Sequence, residues 1–395
     1  MLPQAKRLID LVDERTQVCS QLTDTELAHR HGPIVWQTTR FIGQPHFYPV
    51  YRFENYYSYS LLALILKKRR FALDSRVPAV VDGPHFDYLP ADLTIDREVV
   101  RLGSPHGCGY SICDVDDYAE RISHALVEDM KLLEGNNVGY TNVVMCGGRD
   151  SLNLLLLPWK NDTIALSAEP NYQHVVRFVE ENGLSMPVLR LDDEFDPNEL
   201  DDEILECCCR AELTHWRWGA SLRRLSKDMN RKLILWKGQH GDLYMSPTWK
   251  AYTRSLRGGR RLLRRVYKKS SAYMPVKMSE AVGRRLQPAV IRTAWERGAS
   301  LQGSHCGFIR SIADCLTISA YHGPAMIKVL EQANLASVAQ NDMRHLVGRN
   351  LVGRDVIYPQ VNPAPPGSEI RRGLSRFKRF MDLIKQTGIE IRMES

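Results

Sequence analysis

Residues 143–157 read VVMCGGRDSLNLLLL. A short apolar run with two valines, then Gly-Gly, then a polar start to a leucine-rich segment predicts a buried strand, a tight turn and a helix. Gly147 and Gly148 would let the backbone come close to an anion. The amides that open the following helix, at Asp150 and Ser151, would point toward it. The stretch lacks the GxxxxGK[ST] phosphate loop, because no lysine follows the second glycine. Ser151 would add a hydroxyl donor, and Asp150 could hold Mg2+ against phosphates.

The texture downstream repeats the unit. Strands are expected at NVVM (142–145), DTIALS (162–167), MPVLRLD (186–192) and RKLILW (231–236), with helices at 150–157 and 172–183. Pro158 should stop the first of these helices, and Gly183 the second. Alternating strands and helices imply right-handed crossovers and a parallel sheet. Ligands of such sheets collect at the carboxyl ends of the strands, so the CGGRDS turn stands where a site is expected.

That turn, Cys146-Gly147-Gly148-Arg149-Asp150-Ser151, resembles the SGGxDS loop of the PP-loop ATP pyrophosphatases, the superfamily of asparagine synthetase-like amide ligases and ATP-dependent sulfurtransferases. Five of the six motif positions fit. The resemblance implies an adenine nucleotide alpha hydrolase-like α/β domain, with ATP and Mg2+ as cofactors. It also implies chemistry in which a substrate oxygen attacks the α-phosphate and pyrophosphate leaves. The resemblance would put adenine near Ser167, after the second strand. The segment KLILWKGQHGDLYMSPTW (232–249) resembles the asparagine synthetase stretch in which a strand runs into a GxGxDE turn, making Asp242 a candidate second Mg2+ ligand beside Asp150. The alternative for Asp242 is an ordinary turn aspartate. Cys146 departs from the serine of the family pattern, Pro158 comes early, and Asp242 is followed by leucine rather than by an acidic residue.

The rest of the chain sets boundaries on function. It has 395 residues, 44% hydrophobic and 25% charged, which suits an ordinary globular protein of two domains. Residues 1–135 are expected to form a small N-terminal α+β domain, with helices at about 3–19, 58–70 and 114–135. The resemblance implies that residues 136–395 form a PP-loop domain, ending in a helical part expected to take in 307–323, 323–339 and 376–388. The longest apolar run, LLALIL (61–66), is too short to span a bilayer. The opening MLPQAKRLIDLVDERT has no apolar signal core, so a cytoplasmic location away from membranes is expected.

Nine cysteines, an odd number without a single CxxC pair, argue against a disulfide framework or a zinc site. The triple Cys207-Cys208-Cys209 cannot aim three thiols at one ion from a regular helix. Cys306 beside His305 is a minor nucleophile–base candidate. Nothing in 1–135 resembles the glutaminase domain of asparagine synthetases, so the second nucleophile is expected to be a sulfur species or an incoming amine. Cys113, and behind it Cys108, lie in the Gly-containing stretch SPHGCGYSICDVDD (104–117). Cys113 stands just before a predicted helix, where the backbone dipole favours a thiolate, although Asp114, Asp116 and Asp117 oppose that effect.

The expected activity is thus adenylation followed by sulfur transfer to a small purine-like heterocycle. In this the chain is similar to the bacterial enzymes that turn guanine into 6-thioguanine. A PLP-dependent cysteine-processing partner would be the sulfur donor. An amide ligase without a glutaminase domain is one alternative. A nucleotide-binding or tRNA-thiolating protein is another, because RSLRGGRRLLRRVYKK (254–269) is half Arg and Lys. The plainer reading of that segment is a solvated helix flank, with tRNA not expected as a partner.

Overall fold

The computed structural model describes residues 111–191, 216–238, 241–245, 315–333, 335–338, 342–359 and 390–394, with short strands and two helical residues (64 and 67) between 17 and 102. Cys108, the cysteine triple, the basic segment 254–269, the His305–Cys306 pair and the helix expected over 376–388 lie outside the described residues. Among the described residues no helix is long and apolar enough to cross a membrane.

The centre of the fold is a five-stranded, all-parallel sheet. Its strands are β1 (Thr141–Cys146), β2 (Thr163–Ser167), β3 (Val188–Arg190), β4 (Leu233–Lys237) and β5 (Cys315–Ser319). Their order across the sheet is β3-β2-β1-β4-β5. The chain therefore winds outward from β1 in one direction, then returns to the other side of β1 to place β4. This order makes the gap between the carboxyl ends of β1 and β4 the place where the winding reverses, the natural crevice of an open α/β sheet. The α/β architecture read from the sequence is present, and the first four strands fall within two or three residues of their expected limits.

The fifth strand corrects an expectation. GFIRSIADCLTISAYHG was read as helix, yet Cys315–Ser319 pairs in parallel with Leu233–Lys237, and of its described residues only Ala320–His322 make a helical turn, of the 3-10 type. An apolar run buried on both sides has no diagnostic period, and the β-branched Thr317 and Ile318 favour the pleated form.

Both faces of the sheet are covered. On one face Val144, Cys146, Ala165, Ile234, Trp236 and Ile318 join a common core with helices α1 (Val115–Asn136), α2 (Arg149–Leu155) and α3 (Tyr172–Glu181). The alternate residues Val143, Ile164, Leu166, Leu233 and Leu235 are buried too, as are Trp218 and Leu222 of α4 (Trp216–Met229), a helix that packs against β5. Each fully buried leucine contributes roughly 1.5–3 kcal/mol. α1 begins at Asp114, whose carboxylate accepts from the amides of Asp116 and Asp117 at 3.0 Å. Grouped by sequence with the first 135 residues, α1 packs here on α6 (Pro324–Gln332) and α8 (Arg344–Val352), past the short α7 (Leu335–Val338).

A buried polar network ties α1 to the sheet. Glu134 accepts from the Asn142 side chain at 2.7 Å and from the Asn161 amide at 3.0 Å, and Asn142 in turn accepts from the Trp236 indole at 2.9 Å. Trp236 meets Trp159 edge to face, with ring centroids 5.0 Å apart. The turn after Pro158 is thereby pinned, and α2 ends at Leu155.

The described residues before 103 form short strands in three further sheets. Gln17–Val18 pairs with Trp36–Gln37, so these two residues are strand where a helix over 3–19 was expected. Glu390–Glu394 runs parallel to Arg70–Asp74, bringing the end of the described chain into one of those sheets.

Candidate functional site

The CGGRDS turn joins the carboxyl end of β1 to α2. Gly148 is extended and serves as the N-cap, and the Ser151 hydroxyl donates back to its carbonyl at 2.7 Å. A Cβ added at Gly147 would meet nothing within 4 Å, so the outer side of the turn is open.

The loop after β4 presses against this turn. A Cβ at Gly238 would fall 2.6 Å from both the Cα and the amide nitrogen of Ser151, and 2.8 Å from the carbonyl carbon of Asp150. Only a residue without a side chain allows that approach. Gly241 opens the short helix α5 (Gly241–Met245) and comes equally close, with its Cβ position 2.8 Å from the Asp150 Cβ and 2.9 Å from the Tyr321 ring. Tyr321, just beyond β5, donates its hydroxyl to the Asp150 carbonyl at 3.0 Å. The ends of β1, β4 and β5 therefore converge on one residue, Asp150.

A fourth element reaches the carboxylate of Asp150 itself. Arg344, the first residue of α8, places Nε 2.5 Å from Asp150 Oδ1 and Nη1 2.8 Å from Asp342 Oδ2. Asp342 also lies 3.4 Å from Arg149 Nη1. The Arg344 side chain is 8% exposed and that of Asp150 25%. Burial works against the guanidinium charge, but Asp150 and then Asp342 outweigh it, so Arg344 holds its proton more firmly than an ordinary arginine. The Arg344 backbone is fixed as well. Its amide donates to Asp342 Oδ1 at 3.2 Å, and its carbonyl accepts from Asn153 at 3.2 Å and faces the Tyr358 hydroxyl at 3.1 Å. Tyr358 also donates to the side-chain oxygen of Asn153.

No family model matches the chain, and no curated protein matches it.

The residues singled out from the sequence thus divide. Gly147, Gly148, Arg149, Asp150 and Ser151 lie together at the carboxyl end of the central strand. Cys146 precedes them, but its thiol is wholly buried in the core, and burial pushes it up to about 12, outweighing the opposite influence of the nearby Ser151 hydroxyl. Ser167 ends the neighbouring β2, with its hydroxyl donated to the Cys146 carbonyl at 2.7 Å, so the side chain serves the sheet. Asp242 is in α5, beside Gly241. Cys113 is exposed, immediately before the cap of α1. Cys315 is buried.

Asp150 and Asp342 offer hard carboxylate oxygens, a donor type that suits Mg2+ held by one or two carboxylates and substrate phosphates. Among the described residues no group of three or more His, Cys, Asp or Glu is placed to hold a metal by itself. The donor set therefore fits a cation brought in with phosphates, rather than an all-protein metal cage.

Sequence reasoning missed Asp342, Arg344, Tyr321 and Tyr358. Arg344 is 194 residues from Asp150 along the chain, and NDMRHLVG shows no spacing that would mark it. Only the return of α8 to the carboxyl end of the central strand brings the two together.

Proposed function

We propose that the chain is an ATP-dependent enzyme of the PP-loop type that adenylates a substrate oxygen. What supports the reading above all is the position of CGGRDS. A turn with an open outer side follows the strand at which the winding of the sheet reverses, and three other chain segments brace it. In this reading the backbone from Gly147 to Ser151 holds the departing pyrophosphate, and Asp150 would hold the Mg2+ that accompanies it. Cys146 and Ser167 contribute main chain, since their side chains are spent on the core and the sheet. Mg2+, when bound, would neutralise charge on the phosphates.

The substrate oxygen forms a bond to the α-phosphorus while the bond to pyrophosphate breaks. A nucleophile then attacks the activated carbon, and AMP leaves with the oxygen. We take that nucleophile to be the terminal sulfur of a persulfide on Cys113, loaded by a PLP-dependent cysteine-processing partner. A second thiol then attacks the Cys113 sulfur, so that the thiocarbonyl sulfur of a purine-like heterocycle leaves and a disulfide remains on Cys113, which a thiol reductant returns to the free thiols. The exposure of Cys113 supports its role over that of Cys146 or Cys315, both buried.

The test is pyrophosphate release with candidate heterocycles, for the parent, Asp150→Asn and Cys113→Ser. Asp150→Asn is expected to lower the rate by at least about a hundredfold, as misplacement of a positioned metal–phosphate complex does. Cys113→Ser is expected to keep ATP binding and lose the sulfur-containing product. Parental turnover in Asp150→Asn removes the ATP reading. Parental product in Cys113→Ser promotes an amine as the nucleophile, and with it an amide ligase.

A further inference from the structure

We propose that Arg344 is a positioning residue that makes cation binding at Asp150 depend on the nucleotide, by neutralising Asp150 until phosphate oxygens arrive to take over its guanidinium. This rests on the reading of Asp150 as the carboxylate that serves the metal–phosphate complex.

The observation is a chain of alternating charges, Asp150–Arg344–Asp342–Arg149, whose innermost member is Arg344. Two carboxylates and two guanidinium groups cancel. A divalent cation arriving alone meets a carboxylate already compensated at 2.5 Å, and it must approach a fixed positive charge. The guanidinium cannot retreat far, because Asp342 holds it at both its amide and Nη1 while Asn153 holds its carbonyl. If Asp150 turned to a cation, Arg344 would be left 8% exposed with half of its compensation gone. A phosphate removes that penalty, since the planar fork of an arginine matches phosphate oxygens as well as it matches carboxylates. Cation and nucleotide should then each raise the affinity for the other, and by the same factor.

The experiment titrates Mn2+ alone, ATP in EDTA, and both together, with free Mn2+ read by its paramagnetic resonance and the metal–nucleotide complex formed in solution subtracted. In the parent, each ligand is expected to tighten the other by about tenfold or more. In Arg344→Gln, Mn2+ alone should bind at least about fivefold tighter, ATP in EDTA about tenfold weaker, and the mutual enhancement should fall toward unity. Arg344→Lys keeps a charge but no fork. It should retain the weak binding of Mn2+ alone while losing ATP affinity, and it decides the matter if Arg344→Gln does not fold. Unchanged enhancement in the variant that folds overturns the proposal. Asp150→Asn separates the two levels of the argument. If it leaves nucleotide and Mn2+ binding intact, the underlying reading of Asp150 fails. If it abolishes them while Arg344→Gln changes nothing, only the role of Arg344 fails.

Discussion

Gly238→Ala is the sharpest probe of how this site is assembled. The added methyl would lie 2.6 Å from two backbone atoms of Ser151 and 2.8 Å from a third backbone atom, in Asp150. Ordinary contact begins near 3.4 Å, so β4 and the start of α2 must part by about 0.8 Å. The obstruction is main chain, which cannot rotate away as a side chain would. Overpacking of this kind costs about 1–3 kcal/mol, and the upper half of that range is expected here because the atoms struck are rigid. The displacement also moves Asp150 relative to Arg344 and Tyr321, and a shift near 1 Å in a positioned group can cost about a hundredfold in rate. Urea unfolding would give the stability loss, and a nucleotide titration with pyrophosphate release would give the functional one. A variant as stable as the parent would refute the close approach. One that is destabilised yet fully active would refute the assignment of function to the turn it displaces.

Other consequences follow from buried polar groups. Asp129 accepts from the amides of Ala325 and Met326 at 2.9 and 3.1 Å, and burial, outweighing these bonds, pushes its carboxyl up to about 7. Because the folded value is raised, its contribution is fully present below the unfolded value near 3.8 and is lost as pH rises through 7. The unfolding free energy of the parent in urea minus that of Asp129→Asn should accordingly fall between pH 4 and 7, by an amount on the order of 4 kcal/mol, and a flat difference would show that Asp129 is ionised throughout. The Tyr118 hydroxyl is buried without a hydrogen-bond partner among the described residues, so Tyr118→Phe should leave stability unchanged or raise it by about 1 kcal/mol, and a loss of that size in thermal unfolding would reveal a bond. Asp150→Ala, which the sequence alone would treat as the loss of a turn aspartate worth at most about 0.5 kcal/mol, should cost about 1–3 kcal/mol in urea because it strips a buried guanidinium of one of its two carboxylates. An unchanged midpoint would show that Asp342 alone suffices.

The parallel core was legible because its signals are local. VVMC and TIAL are β-rich runs bounded by glycine or proline, and Gly183, expected to stop α3, takes φ +62° right after it. The start of α1 was legible for the same reason, since Asp114 caps it from within its own segment. CLTIS was not, because a strand buried on both faces carries no alternation to separate it from a helix. The site divides along the same line. CGGRDS is contiguous and could be read, whereas Tyr321 and Arg344 act on Asp150 from 171 and 194 residues away, through packing that no spacing encodes.

The first position of the motif shows why a departure from a family pattern needs the fold before it can be weighed. A cysteine at 146 in place of serine reads, in sequence, as one hydroxyl donor lost from a phosphate loop. In the sheet, residues 142, 144 and 146 alternate onto the inner face, and Cys146 ends that row with no exposed surface. Its sulfur faces the Val144 carbonyl at 3.5 Å, and burial keeps the thiol protonated across the physiological range. A serine there would bury a hydroxyl in an apolar core, where its bond to a carbonyl must offset a desolvation cost of about 1–3 kcal/mol. A cysteine fills the same space as a small apolar group. The exchange therefore bears on packing beneath the turn, and the amides from Gly147 to Ser151 keep their donors whichever residue stands at 146. By the same geometry Cys146 is a poor sulfur carrier, because a persulfide would need room that the core does not leave. In the proposed sulfur transfer the carrier is therefore sought away from Cys146, and among the described cysteines Cys113 is the exposed one.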